Sequence, residues 1–491
     1  MRFARSLSLA FCVLSLLHSG SSFGDEVNDD VVNDDVANDD VVTLRPMAAP
    51  DPLMKYRLWP APQDRNELNP MHPINRALIM LYQQTPPDDD AWEKVESWAD
   101  TPPDELPVEE VQRTLGYFGK SLDELASIEN AMRIEYTLDT HNMTAAETAS
   151  LVVPELQDMR LLARLIELRA RLEIRQSRYD DAIATLRLGF RLSDAAGNST
   201  HFLVGKLIGV AIAQRMLAVI ETAIVRDDFP NLYWAMAALP SDRLFRMNES
   251  LEHESVLLNK LIQETGEFTD EPIGREAAIA RLDSLTIAID DLIRANSGDE
   301  SEPELARLMS GVYVAAMAEP ARELLAETPL GAKKSSDLSA AEAVLRSIRL
   351  RWERHRDRYL AWTSLPPELW ANYETERNAA FGNEPEILDP IDKVAWVVTA
   401  RLSLPISASY RAELTRNRLM LFEAIRMHAS ETGRLPETLS GLQPVPAWLN
   451  PLTALPFDYQ RTHAGRAVVT YDTGVPATPK STVHVALKVV K

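Results

Sequence analysis

Apolar residues follow helical spacing along most of the chain, and one stretch is apolar on every side. Within His201–Asp227, the segment Leu207–Ala213 has no polar side chain over nearly two helical turns. A surface helix has a single apolar stripe, so this pattern predicts a buried helix. Gly205, Gly209 and Ala213 recur every four residues and form a narrow ridge against which another helix can lie close. We predict that this helix is the centre of a helical body.

The same periodicity predicts further helices before and after this segment. Thr144-Ala-Ala-Glu147 has the spacing of a capping box, in which side chains satisfy the first free amides of a helix. Ser177 interrupts the pattern between two of the helices. The predicted helices are Glu155–Gln176, Tyr179–Leu192, Ser241–Gln263, Ile273–Ala295, Glu302–Ala326, Leu338–Trp362, Ile391–Leu404 and Ala408–Glu431.

The end of the chain has a different pattern. Polar and apolar residues alternate at Phe457–Arg461 and Ala467–Tyr471 around an Ala464-Gly465 turn, and again at Thr482–Val490. Alternation with period two predicts strands of a small antiparallel sheet. The predicted fold class is therefore mainly α, a multi-helix body with a small antiparallel β subdomain at the C-terminus.

These patterns divide the chain into five predicted parts. Pro329–Asp337 is interpreted as the joint between two helical groups. The parts are a signal peptide at 1–24, an acidic repeat and proline-rich lead-in at 25–70, a helical body at 71–330 with a helical hairpin at 155–227, a second helical group at 338–432 and the β subdomain at 433–491.

The N-terminus has the features of a secretory signal peptide. Arg2 and Arg5 precede the apolar run Leu7–Leu17, and small residues lead to a predicted cleavage site after Gly24. The run is shorter than the roughly 20 residues that span a bilayer, although retention of the peptide as an anchor stays open. We expect a periplasmic or extracellular protein that does not span the membrane after cleavage. Cleavage also removes Cys12, the only cysteine, which excludes disulfides and thiolate chemistry.

The chain is strongly acidic, with a formal net charge of −22. Such a charge repels nucleic acid and anionic membrane surfaces, which argues against a nucleic-acid-binding protein. Residues 25–42 contain three copies of a five-residue repeat with paired aspartates. Without a glycine turn or a bidentate glutamate this segment does not match a calcium loop, and we expect a solvated, disordered spacer.

No catalytic or metal-binding motif is found. The chain has no H-E-x-x-H zinc pair, and its match to the G-x-S-x-G pattern, at Gly20–Gly24, lies within the predicted signal peptide rather than at a nucleophile turn. Glu249 and His253 stand one helical turn apart, but no third ligand can be named, so no metal site is assigned. We assign no cofactor and no catalytic residue.

The segment Arg346–Tyr359 concentrates arginine in a chain that is otherwise short of basic residues. Arg349, Trp352, Arg356 and Tyr359 fall on one helix face and are the candidate partner-binding residues. Guanidinium and aromatic groups suit an anionic polymer or the acidic face of another envelope protein. The alternative, which we favour, is that the arginines pair with acidic side chains of the protein itself.

Part of the helical body resembles a single tetratricopeptide-type hairpin, and it departs from that pattern at Arg169 and Glu173. Together with the following buried helix and Phe229–Pro240, it is similar to a family of large exported bacterial proteins that remain uncharacterised. This resemblance implies a helical, exported protein and brings no established activity. The residues at hairpin positions are Ala170, Tyr179, Ala182, Leu186 and Gly189.

The C-terminal stretch also resembles the C-terminal part of type II secretion major pseudopilins. The chain has Asn450 where that module has aspartate and Ala454 where it has glycine, and it lacks the N-terminal pilin helix. A pilin role is therefore not implied. The matching residues are Arg426, Gly433, Leu435, Pro436, Leu439, Pro451 and Tyr459.

Two functions are compatible with these observations. The first is a non-enzymatic, exported helical scaffold that binds another protein or an anionic polymer of the cell envelope. The alternative is a hydrolase that acts on envelope or extracellular polymers through carboxylates that sequence spacing does not identify. A cleft with two or more buried carboxylates would favour the hydrolase.

Overall fold

The structure, a computed structural model, describes residues 40–84, 90–135, 142–149, 154–297, 303–365, 403–471 and 481–488. Within these ranges the predicted fold class is confirmed: the protein is mainly α-helical with a small β-sheet. The predicted signal peptide, most of the acidic repeat and most of the predicted helix Ile391–Leu404 lie outside the described residues.

Most of the predicted helices are present, but the predicted helix Ser241–Gln263 is divided into two, Ser241–Leu244 and Asn248–Glu264. The strands are β1 (Asp40–Leu44), β2 (Asp458–His463), β3 (Arg466–Tyr471) and β4 (Ser481–Leu487). The helices are α1 (Met71–Gln83), α2 (Ala91–Asp100), α3 (Val108–Tyr117), α4 (Gly119–Leu125), α5 (Ala145–Ala149), α6 (Pro154–Arg175), α7 (Tyr179–Asn198), α8 (Leu203–Ala223), α9 (Tyr233–Ala237), α10 (Ser241–Leu244), α11 (Asn248–Glu264), α12 (Arg275–Ser297), α13 (Pro303–Ala326), α14 (Gly331–Asp337), α15 (Ala340–Thr363) and α16 (Ser403–Thr432).

The chain forms two compact units, each made of separate segments. The helical unit comprises Met1–Val31, Leu138–Val152 and Asn248–Leu404, and the sheet unit comprises Val32–Thr137, Val153–Met247 and Pro405–Lys491. This grouping differs from the predicted domain order. The predicted joint at 329–337 lies inside the helical unit, where Gly331–Asp337 forms α14 and packs against α13.

In the sheet unit, α6, α7 and α8 pack in succession. Ser177, with φ 58°, makes the predicted break between α6 and α7. The helix α8 is buried as predicted, and Ile208, Val210 and Ile212 are at most 5% exposed. Among the described helices α8 is the one that is long and apolar enough to cross a membrane, and 67% of its most apolar window is buried inside the protein. Burial within the fold therefore accounts for its composition.

The sheet has the strand order β1-β4-β3-β2. The hairpin β2–β3 and the pair β3–β4 are antiparallel, as predicted. Alternate residues of β3 and β4 face the core, where Val469 and Val485 are fully or almost fully buried. Arg418 of α16 donates Nη1 to the Tyr471 hydroxyl at 2.6 Å, which ties the sheet to the helices of its unit.

The strand β1 corrects the sequence prediction. Residues 25–42 are predicted as a solvated spacer, yet Asp40–Leu44 pairs in parallel with β4, in the register Asp40↔Val483 to Leu44↔Leu487. Leu44, the last residue of the strand, is fully buried and packs into the core. Long-range pairing of this kind leaves no local signal in the sequence.

The helical unit is built around a core shared by α11, α12, α13 and α15. Leu258, Leu285, Val344 and Trp352 are among its buried side chains. The helix α5 joins this core through Ala145, and α15 starts at the N-cap Ser339, whose hydroxyl accepts from the Glu342 amide. The predicted capping box at α5 is confirmed within this unit: the Thr144 amide donates to Glu147 at 2.7 Å, and the Glu147 amide donates to the Thr144 hydroxyl at 3.1 Å.

Candidate functional site

The structure places the four predicted partner-binding residues on α15 of the helical unit. Trp352 is 0% exposed and Tyr359 is 1% exposed. The Tyr359 hydroxyl donates to the main-chain oxygen of Leu251 at 2.7 Å, which joins α15 to α11. These two aromatic residues therefore face the interior of their unit and are not available at its surface.

The two arginines of the predicted face also make contacts inside the unit. Arg349 donates Nε to Glu353 at 2.8 Å and Nη1 to the main-chain oxygen of Gly266. Arg356 donates Nη1 to the side-chain oxygen of Asn259 at 3.1 Å. The structure brings the four residues together on one face, as predicted, but that face packs against α11 and the loop after it. The intramolecular interpretation is the one that these contacts favour.

Arginines of α12 and α15 hold the loop that connects α11 to α12. Arg346 donates to the main-chain oxygens of Thr269 and Glu271 at 2.8 and 2.9 Å. The guanidinium groups of Arg346 and Arg281 lie 4.7 and 5.4 Å from the centroid of the Phe268 ring. Cation–π contacts and hydrogen bonds thus hold this loop, whose Phe268 and Ile273 also pack against the core.

A common arrangement surrounds the buried carboxylates. Among the residues whose burial is described, seven Asp or Glu residues are at most 9% exposed, and each pairs with an arginine three or four positions away on its own helix. The pairs are Glu167–Arg171, Glu173–Arg169, Asp194–Arg191, Asp290–Arg294, Glu342–Arg346, Glu413–Arg416 and Glu423–Arg426.

Five of these arginines also donate to main-chain oxygens of a distant segment. The carboxylate orients the guanidinium, and the remaining N–H groups donate to main-chain oxygens of the other segment. This arrangement stabilises connections between helices. The bonds run from Arg171 to Thr101, from Arg191 to Ala131, from Arg346 to Thr269 and Glu271, from Arg416 to Leu239 and from Arg426 to Phe229 and Arg45.

The pair Glu423–Arg426 is the most completely enclosed. Both side chains are 0% exposed, and Arg426 Nη1 lies 2.7 Å from Glu423 Oε2. Glu423 also accepts from the Leu232 amide at 3.0 Å, while Arg426 donates to the oxygens of Phe229 and Arg45. Burial raises the pKa of Glu423, and Arg426 together with the amide opposes that effect. The pair joins α16 to the segment before α9 and to the chain after β1.

Asp194 of α7 is the centre of a second buried cluster. Arg243 binds both of its carboxylate oxygens at 2.8 and 2.9 Å, and Arg191 and Asn198 donate to it as well. Lys206 of α8 is 3% exposed and donates Nζ to the main-chain oxygen of Arg243 at 2.6 Å. The cluster fixes α10 against α7 and α8.

The pair Glu249 and His253 does not form a metal site in the described part of the chain. His253 Nδ1 lies 3.0 Å from the main-chain oxygen of Glu249. Across the described residues, no group of three or more His, Cys, Asp or Glu side chains is arranged to hold a metal ion.

A short apolar loop lies on the surface of the sheet unit between α16 and β2. Leu449 and Leu455 are 46% and 63% exposed. The loop is nevertheless well held, because the Asn450 amide donates to the Leu455 oxygen and the Asn417 side chain donates to the Leu449 oxygen, both at 2.9 Å. Ala454 has φ 52°, in the left-handed region that favours glycine, at the position where the pseudopilin pattern has glycine.

Sequence reasoning missed the carboxylate–arginine pairs, although their spacing was visible. An acid and an arginine three or four residues apart on a predicted helix lie side by side, whether the face is exposed or buried. A structural pair differs from an ordinary surface pair in that its helix face is buried. The spacing of the charged residues does not show whether that face is buried. Comparisons of the chain with protein-family models, with curated proteins and with solved structures give no match.

Proposed function

We propose that the protein is an exported helical scaffold of the cell envelope, whose role is to bind another envelope protein or polymer rather than to catalyse a reaction. The observation that carries this proposal is the pairing of the seven buried carboxylates with arginine. General acid–base catalysis needs a carboxylate that exchanges a proton beside the substrate. An arginine that is hydrogen-bonded to the carboxylate favours its ionised form. These carboxylates therefore suit a role in holding the fold.

The alternative, a hydrolase of envelope polymers, has one observation in its favour. Burial raises the pKa of Glu423, as is common for a catalytic acid. Glu423 is 0% exposed, however, and both of its oxygens accept hydrogen bonds, from Leu232 and Arg426. A substrate would have to displace those bonds, so the scaffold is the better-supported function.

The proposal assigns partner contact to the apolar loop at Leu449–Leu455 rather than to the arginine-rich face of α15. A partner that covers Leu449 and Leu455 removes apolar surface from water. The internal hydrogen bonds of the loop support this role, since a preformed loop loses little conformational freedom on binding. The net charge of −22 repels an anionic polymer, so a protein is the more favourable binding partner.

Export is part of the proposal and is supported by the sequence of residues 1–24 and by the resemblance to exported bacterial proteins. Fractionation of cells that express the full chain tests this part. We expect the chain to be recovered outside the cytoplasm in a form shortened by about 24 residues, the length that the signal-peptide pattern predicts. Recovery of the unshortened chain in the cytoplasm would contradict export.

Chemical cross-linking of the chain from residue 25 onward in envelope extract tests binding. We expect one defined envelope component to be cross-linked to the protein, and we expect the double substitution Leu449→Ser/Leu455→Ser to abolish the product. Leu53→Ser is the matched control, because Leu53 is 69% exposed in the same unit and lies outside the loop. Equal cross-linking by all three proteins would remove the loop from the proposal, and turnover of an envelope polymer by the purified protein would favour the hydrolase.

A further inference from the structure

Two arginines of α15 are exposed on a different face of the helix from the buried Trp352. Arg354 and Arg358 are four residues apart, so they lie on one face, one helical turn from each other. Across the described residues, neither of them forms an ion pair with a carboxylate. They therefore differ from the arginines of α15 that hold the loop after α11.

The acidic residues next to these exposed arginines in the sequence are already paired. Arg349 donates Nε to Glu353 at 2.8 Å, and Arg356 Nη2 lies 2.7 Å from Asp357 Oδ1. Like charges one helical turn apart repel each other. A negatively charged group beside the two exposed arginines would offset this repulsion.

The chain itself contains such a group in the acidic arm, which we define as residues 25–39. The arm has seven Asp or Glu residues and no Lys, Arg or His. It leads directly into β1, which pairs with β4. Fifteen residues reach about 50 Å when extended, and Met1–Val31 belongs to the helical unit, as α15 does.

We propose that the acidic arm of the same chain docks on Arg354 and Arg358. A carboxylate accepts charge-assisted hydrogen bonds from a guanidinium, and the five-residue repeat supplies several carboxylates that can exchange in this contact. One exposed ion pair stabilises little, but the covalent tether raises the local concentration of the arm to the millimolar range. The docked arm keeps anionic polymers away from this face. This inference does not depend on the proposed scaffold function.

Arginine-specific labelling with phenylglyoxal, followed by mass spectrometry of the peptides, tests the contact in the chain from residue 25 onward. The parent protein is compared with an arm variant that lacks four of the charges. We expect Arg354 and Arg358 to be labelled roughly two- to fivefold faster in the arm variant, because the contact is tethered but consists of exposed ion pairs. The substitutions of the arm variant are Asp29→Asn, Asp30→Asn, Asp34→Asn and Asp35→Asn.

Arg275 provides the internal reference. It is exposed at the start of α12 in the same unit, and among the described residues it has no carboxylate partner. Its labelling rate should be the same in both proteins. A matched control variant removes four exposed charges of the sheet unit instead, and its exposed arginines should be labelled as in the parent protein. The control substitutions are Asp64→Asn, Glu67→Gln, Glu109→Gln and Glu110→Gln.

Salt and dilution complete the test. In about 1 M salt, where the screening length falls to about 3 Å, labelling of Arg354 and Arg358 in the parent protein should rise to the rate of the arm variant. Equal rates in the parent protein and the arm variant at low salt would overturn the proposal. Protection that disappears on roughly hundredfold dilution would contradict docking within one chain, because a tethered contact does not depend on protein concentration.

Discussion

Gly209 of α8 faces Gly197 of α7 so closely that a Cβ atom on Gly209 would lie 2.7 Å from the Gly197 Cα and 2.7 Å from the Ser193 oxygen. Main-chain atoms cannot move aside as flexible side chains do. The ridge formed by Gly205 and Gly209 is therefore the contact that allows α7 and α8 to pack closely, and Ser193 completes it by donating its hydroxyl to the Gly209 oxygen at 2.7 Å.

Gly209→Ala should lower the unfolding free energy of the sheet unit by about 1–3 kcal/mol, the cost of overpacking, despite the better helix propensity of alanine. Gly116→Ala is the control, because a Cβ at Gly116 would meet nothing within 4 Å. That variant should be neutral or more stable by roughly 0.5–1 kcal/mol. Denaturant unfolding measures both, and equal stability of the two variants would contradict the close packing.

Glu423→Gln should destabilise the sheet unit by about 3–5 kcal/mol, because it leaves the buried Arg426 guanidinium without its counter-charge. Glu437→Gln is the matched control, in which the same substitution is made at an exposed ion pair. Glu437 pairs with Arg461 but is 70% exposed, so its loss should cost less than about 1 kcal/mol. Thermal melts of the two variants provide the comparison, and a similar shift for both would show that burial of Glu423 does not matter.

Trp352→Ala should lower the stability of the helical unit by about 3–5 kcal/mol, because the indole fills its core. Arg354 is exposed on the same helix, and Arg354→Ala should change stability by no more than about 0.5 kcal/mol. Proteolysis rates under native conditions measure the difference. A folded and protease-resistant Trp352→Ala protein would restore the case for a surface role of this face.

The stability of the helical unit should fall with acid through His355. Burial, followed by the charge of Arg358, lowers the pKa of His355 to about 4. In the unfolded chain the pKa of His355 has its ordinary value of about 6.5. Between roughly pH 6.5 and 4 the unfolded chain therefore binds a proton that the folded protein does not, and protonation favours unfolding. The stabilisation by neutral His355 is present above the pKa of this residue in the unfolded chain. It is lost as the pH falls toward the pKa of the same residue in the folded protein.

His355→Gln removes this titration. Between pH 7 and pH 4 the parent protein should lose about 1–3 kcal/mol more unfolding free energy than the variant does. Other acid-sensitive groups are common to both proteins, so the difference between their two pH profiles isolates His355. Parallel profiles would show that His355 titrates normally in the folded protein.

Features that depend on neighbours along the chain could be predicted from the order of residues alone. The all-round apolar pattern of Leu207–Ala213 identified the buried helix α8. The Thr144–Glu147 capping box and the Ala464-Gly465 turn were also readable. In each case the contacts that form the element lie within one or two helical turns or across one hairpin. The spacing and type of neighbouring residues are therefore enough to predict the element.

Which helix and strand faces pack against each other became clear only from the folded protein. The spacing of Arg349, Trp352, Arg356 and Tyr359 defined one helix face, but an amphipathic pattern does not show whether aromatic and arginine groups meet solvent or another helix. The pairing of β1 with β4 was hidden for the same reason, because it joins the two ends of the chain. Contacts between distant segments depend on the shape and charge of both partners, and a single stretch of sequence contains only one of them.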